Sequence, residues 1–210
     1  MAKLRLTLAC TLSDRTRPIL DGRVQVPGVE FIALPGEPED IFRRALRDRA
    51  FEVTELSMGS HITTTARGDS PYFGVPVFLS RAFRHSAIHV RTDRGIARPE
   101  DLAGRTIALP EYQQTAALWV RGILREQHGV DTRAIRWRIG AERIAITLPD
   151  GFDVAPLGMD PEAALRAGEV DAMITPRPPA PHPGIARLFP EYQAVEKAYF
   201  AATGFFPIMH

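Results

Sequence analysis

The stretch from Leu102 to Gly129, LAGRTIALPEYQQTAALWVRGILREQHG, constrains the fold more than any other part of this chain. Arg105 to Leu109 is a short apolar run of the kind that forms a buried strand. Pro110 to Thr115 is a polar turn, and Ala116 to about His128 has the helical period. Ala116, Trp119, Val120, Ile123 and Leu124 recur at i, i+3, i+4, i+7 and i+8, which makes one apolar face for packing on a sheet, and Gly129 stops the helix. A helix that begins at the carboxyl end of a strand turns its free N–H groups and positive dipole end toward the same space. The first expectation is therefore a carboxylate-sized site at Glu111, Tyr112, Gln114 and Thr115, with ordinary turn polarity as the plainer reading of the same residues.

The rest of the chain repeats the alternation. Lys3 to Cys10 reads as a first strand, followed by a polar turn containing Arg15 and Arg17 at its carboxyl end, where open α/β sheets place ligands. Val24 to Leu34 reads as a strand broken by a Pro-Gly turn. Pro38, Glu39 and Asp40 open a helix with a proline and acids in its first turn. Phe51 to Leu56 is a short strand, Ser57 to about Ala66 a helix carrying Ser60 and His61, and Arg67-Gly68-Asp69 a plain turn. Gly74 to Leu79 and Ser86 to Val90 read as strands, the former buried. Ile135 to Ile139 is a strand, Gly140 to Met159 shows no pattern, Pro161 to Ala167 is a helix and Val170 to Thr175 a strand. Strands that alternate with helices imply an α/β fold with a largely parallel sheet.

Charge and cysteine content then exclude function classes. Twenty-six Lys and Arg oppose 25 Asp and Glu, a formal net charge of +1, so no basic field argues for nucleic acid. There is no G-x-G-x-x-G and no Walker loop, so no nucleotide cofactor is expected. The single cysteine permits no internal disulfide, no stretch approaches a membrane span, and the apolar run Leu6 to Ala9 is too short for a secretory signal, which together point to the cytoplasm. His85 and His89 stand on a strand about 13 Å apart at about 3.3 Å per residue, beyond the reach of one ion, and no metal is expected. Arg81, Arg84 and His85 read either as a solvated basic linker or as a clamp for a carboxylate with a proton donor beside it. Cys10 reads as a small buried residue, and Trp119 and Met58 as core.

Five segments resemble one family in order and wording: CTLSDRTRPILDGRV (Cys10 to Val24), VFLSRAFRHSAIHV (Val77 to Val90), LPEYQQTAALWVRGIL (Leu109 to Leu124), GEVDAMITP (Gly168 to Pro176) and LFPEYQAVEKAYFAATGFFPIMH (Leu188 to His210). Together they are similar to 4,5-dihydroxyphthalate decarboxylase and its relatives. The resemblance implies a two-lobed fold like type II periplasmic binding proteins, with one lobe at residues 1–88 plus 199–210 and the other at 89–198. The family's chain continues past the FPIMH segment, so the first lobe is expected to be incomplete. The apolar end Phe205 to Met209 then expects a partner surface, either a second copy or a complementing C-terminal fragment.

The activity implied by this resemblance is cofactor-free decarboxylation of an aromatic dicarboxylate, 4,5-dihydroxyphthalate, to 3,4-dihydroxybenzoate and carbon dioxide. The alternative is a non-catalytic solute-binding protein for a small aromatic carboxylate, which shares fold and cleft. The chemistry asks for cations at two carboxylates, a polarised phenol and a proton for the ring carbon. Arg15, Arg17, Arg81 and Arg84 are expected at the carboxylates, with N–H groups near Gln114 and Thr115. Glu111 or Tyr112 is expected at the phenol, and Ser60 and Arg177 complete the substrate-binding set. His85 is the expected proton donor, with His61 and His210 in reserve.

Overall fold

The computed structural model describes residues 2–210. The chain divides into two units: one runs to Arg81 and takes back Ile208–His210, and the other is Ala82–Pro207. The boundaries expected from the sequence, at 88 and 199, shift to 81 and 208.

The first unit is built on a three-stranded parallel sheet in the order β2-β1-β3, from Leu4–Cys10 (β1), Val29–Pro35 (β2) and Val53–Thr54 (β3). Arg17–Leu20 (α1) is one turn of helix. Pro38–Asp48 (α2) opens with Pro38, Glu39 and Asp40 as its dipole favours, and packs Ile41, Phe42 and Ala45 with Ala9 and Phe51 into a small core. Met58–Arg67 (α3) ends at Gly68, whose φ of +76° is the left-handed cap that glycine supplies most easily.

The second unit carries a six-stranded sheet in the order β7-β6-β5-β8-β4-β9. Its strands are Ile88–Arg91 (β4), Thr106–Leu109 (β5), Arg136–Ile139 (β6), Asp153–Pro156 (β7), Ala172–Ile174 (β8) and Ile185–Arg187 (β9). The ladders from β7 through β8 are parallel, while β4 runs antiparallel to both β8 and β9. Its helices are Thr115–His128 (α4), Pro161–Ala167 (α5) and Tyr192–Thr203 (α6). β5 is buried on both faces, as a central parallel strand must be. Ile107 and Leu109 pack in the cluster that includes Val120 and Leu124 of α4, and Ala108 packs in the cluster with Ala164 and Leu165 of α5.

Three local expectations need correction. The buried face of α4 is Thr115, Ala116, Ala117, Val120, Ile123 and Leu124; Trp119 is only half-buried, and the indole at the centre of this core is Trp137. Val24 to Val26 lie outside β2, because the Pro27-Gly28 turn ends the pairing and Val29 N–H bonds back to the Val26 carbonyl. Gly74 to Leu79 is no buried strand: Val75, Val77 and Phe78 are exposed and join no ladder. Periodicity cannot separate a short apolar run that fills a core from one that lines a cavity. The patternless region after Gly140 contains β7, which extends the sheet beside β6.

Candidate functional site

Within the first unit lies a cavity of about 510 Å³. Its polar residues arrive from separate elements: Cys10 at the end of β1, Arg15 in the turn that follows, Glu55 just after β3, His61 on α3 and His210 on the returning tail. Apolar side chains, among them Leu8, Ile19, Met58 and Val75, supply most of the remaining wall. The polar turn after β1 is held by Thr16, whose hydroxyl donates to the Thr11 carbonyl at 2.6 Å and accepts the Ser13 N–H at 2.9 Å. Arg15 donates from Nε to the Leu79 carbonyl at 3.1 Å and faces Asp14 at 3.4 Å, so its guanidinium is tethered across the turn.

Glu55 is buried and accepts the Thr11 N–H at 2.6 Å, while its other carboxylate oxygen meets Nδ1 of His210. The tail that carries His210 is pinned by backbone. Ser80 N–H donates to the His210 carbonyl at 2.9 Å, Met209 N–H donates to the Ser80 carbonyl at 2.9 Å, and Met58 N–H donates to the Met209 carbonyl at 3.0 Å. The Cys10 thiol is pushed up to about 11 by burial and by the charge of Glu55, so it stays protonated and is no nucleophile near neutral pH. His61 packs its ring on Gly74, where a Cβ would lie 2.8 Å from Nε2, so only glycine allows this approach.

The other expected residues fall elsewhere. In the first unit Arg17 is exposed on α1. Arg81 is exposed too, with its guanidinium 5.3 Å from the Phe78 ring centroid. Ser60 is fully buried on α3, and its hydroxyl has no hydrogen-bond partner among the described residues. In the second unit Arg177 is exposed, and Arg84 is partly buried, with burial drawing its pKa down against the charge of Glu196. His85 lies in the interior of the second unit. It has no exposed surface, sits edge-on to Phe189 and beside Tyr199, and its Nε2 lies 3.4 Å from Gln127 Oε1. Burial draws its pKa down.

The turn before α4 holds acids of the chain itself where an external carboxylate was expected. Glu111 pairs with Nε of Arg143 at 2.7 and 2.9 Å and accepts from Gln113 Nε2 at 3.0 Å, and Tyr112 N–H donates to Glu142 at 2.9 Å. Tyr112 is buried beneath the Arg121 guanidinium, 3.8 Å from its ring centroid, and edge-on to Trp137. Thr115 is buried at the helix start and Gln114 is partly buried beside it. The loop bearing Glu142 and Arg143 closes over this helix start, and local sequence pattern carries no sign of it.

Burial and the neighbouring Glu111 charge push the Glu142 carboxyl up to about 7, against the pull of Tyr112 N–H, Arg121 and Arg143. A carboxyl raised in the folded state binds its proton more tightly there than in the unfolded chain. The stability it contributes is therefore complete below the ordinary carboxylate range and is lost as pH rises through 7. Urea midpoints should fall between pH 5 and pH 8 by the equivalent of roughly 1–2 kcal/mol, after allowance for solvent screening. Glu142→Gln should flatten that fall; an unaltered slope in this variant would assign it to other groups.

Two α/β units with mostly parallel sheets, and a ligand-sized cavity with one buried acid and two imidazoles on its wall, define a small-molecule-binding α/β protein. No protein-family profile matches the chain. The chain is 43% identical over 223 aligned residues to the 4,5-dihydroxyphthalate decarboxylase of Comamonas testosteroni, covering 100% of this chain and 68% of that protein. It is 40% identical over 218 residues to the 4,5-dihydroxyphthalate decarboxylase of Pseudomonas putida, covering 98% and 84% respectively. The chain belongs to the 4,5-dihydroxyphthalate decarboxylase family. Among solved structures it is similar to the periplasmic aliphatic sulphonate binding protein SsuA of Escherichia coli, at 17% identity and a TM-score of 0.47 over 83% of this chain and 51% of that one. It is also similar to the alkanesulfonate-binding protein SsuA of Xanthomonas axonopodis pv. citri, at 20% identity and a TM-score of 0.44 over 83% and 54%. Among the described residues no helix is long and apolar enough to cross a membrane.

Proposed function

We infer that this chain is a carboxy-lyase that removes one carboxylate from an aromatic dicarboxylate, 4,5-dihydroxyphthalate, to give 3,4-dihydroxybenzoate and carbon dioxide. The observation that carries this reading is identity of 43% and 40% to two decarboxylases of that substrate over nearly the whole chain. The cavity in the first unit fits the chemistry. Its volume falls in the range of roughly 300–1,000 Å³ common to small-ligand sites, its apolar wall suits a ring, and Arg15 offers a cation to a carboxylate.

The ring supplies its own electrons, because each hydroxyl stands para to one carboxylate. The protein has to orient the substrate, draw electron density from the phenols into the ring, and protonate the carbon that loses carbon dioxide. A cytoplasmic site of action belongs to the same reading. It is favoured by Cys10, a buried free thiol. Incubation of the purified chain with 4,5-dihydroxyphthalate should release one carbon dioxide per 3,4-dihydroxybenzoate formed, followed by chromatography and gas detection. Saturable binding with no carbon dioxide would sink the enzyme reading in favour of a solute-binding role.

A further inference from the structure

Among the described residues that line the cavity, Glu55 is the single acid, and its carboxylate touches the imidazole of His210. Burial pushes the Glu55 pKa up, but the His210 and Thr11 contacts outweigh it and leave the group below the ordinary carboxylate range. Glu55 is therefore a fixed negative charge. Its carboxylate lies against Nδ1, which favours a proton on that nitrogen and leaves Nε2 as the ring's other proton-carrying atom. Phe42 packs against the same imidazole, with ring centroids 5.2 Å apart, and the backbone bonds of Ser80 and Met58 hold the tail in place. Of the two histidines on the wall, His61 has its Nε2 against Gly74, whereas Nδ1 of His210 is engaged by a carboxylate. The other titratable groups that line the same cavity are Cys10 from β1, Arg15 from the turn after it, His61 from α3 and Tyr72.

We propose that His210 delivers the proton that replaces the departing carboxylate, with Glu55 as the positioning residue that orients its imidazole. The assignment rests on the decarboxylase reading. In the step, Nε2–H of the His210 imidazolium protonates the ring carbon bearing the carboxylate. The bond from that carbon to the carboxylate then breaks, its electron pair returns to the ring, and carbon dioxide leaves. The neutral imidazole regains its proton from water, so one proton is consumed per carbon dioxide released and no oxidant or cofactor enters.

Steady-state kinetics of the full chain on 4,5-dihydroxyphthalate test this. His210→Asn should lower kcat by about 10²-fold or more with KM within about threefold, the usual scale for loss of a general acid. Glu55→Gln should lower kcat about tenfold with KM within about threefold, and Glu55→Asp should restore part of the loss. A purely structural role for Glu55 would raise KM and lower the melting temperature together with kcat, and Glu55→Asp would not rescue kcat alone.

The ring-nitrogen NMR shifts of His210 in the substrate-free chain give a second readout, with the tautomer balance expected to move in Glu55→Gln. An unchanged tautomer balance overturns the pairing. Full activity of His210→Asn beside an active wild type overturns the donor role alone. Absence of carbon dioxide release from the wild type, with the tautomer balance responding to Glu55→Gln, overturns the decarboxylase reading and the donor role together and leaves the pairing standing.

Discussion

Glu111→Ala is expected to destabilise the protein by about 3–5 kcal/mol, the range for removal of one partner from a buried ion pair. The pair warrants that range because the side chains of Arg143 and Glu111 are only 7% and 14% exposed and two carboxylate oxygens face one Nε. The substitution also strips Gln113 of the carboxylate to which its amide donates. One effect runs the other way. Glu111 is among the charges that push Glu142 up, so its loss brings Glu142 down toward the ordinary carboxylate range and lets that group balance Arg143 above pH 7. Destabilisation should therefore be larger at pH 5 than at pH 8, and urea unfolding at both values reads the difference directly. A cost below about 1 kcal/mol at pH 5 would mean that the pair is effectively solvated.

The same turn shows where sequence reasoning reaches and where it stops. The strand and helix around it were legible because β5 and α4 announce themselves by local period and by Gly129 at the end, whose φ of +62° matches a left-handed cap. What occupies the helix start was not legible. The partner of Glu111 lies 32 residues further on, in a stretch without periodicity, and no local rule connects the two. The burial of His85 was not legible for the same reason, since it comes from Gln127 on α4, from Phe189 and from Tyr199 on α6.

Within the cavity, Arg15, His61 and His210 were legible as polar residues at element ends, whereas Glu55 was missed. A signal for it existed. Glu55 stands beside a strand among Phe51, Val53 and Leu56, and a carboxylate in an apolar run is uncommon unless it is paired. The partner that would have completed the argument, His210, is 155 residues away, and only the folded tail brings them together.

Trp137→Ala is expected to cost about 3–5 kcal/mol, and its reasons run through the whole second unit. Trp137 has no exposed surface on β6, a strand paired on both sides, and it packs in the cluster that joins β5, β8 and α4. Its Nε1 donates to the Thr132 carbonyl at 2.9 Å, and Tyr112 meets it edge-on at 6.1 Å between centroids. Truncation thus opens a cavity, leaves a buried carbonyl without its donor, and removes the wall against which Tyr112 and Arg121 stack. Trp137→Phe keeps most of the volume and loses the hydrogen bond, so it should cost about 1–2 kcal/mol. The chain has two tryptophans, so Trp119 on α4 remains as a fluorescence reporter of the same helix in both variants. Hydrogen exchange should place the lost protection on β5, β6 and α4. If the alanine variant unfolded within about 1 kcal/mol of the wild type, the indole would not be the centre of this core, and the packing that holds Tyr112 beside the helix start would need another source.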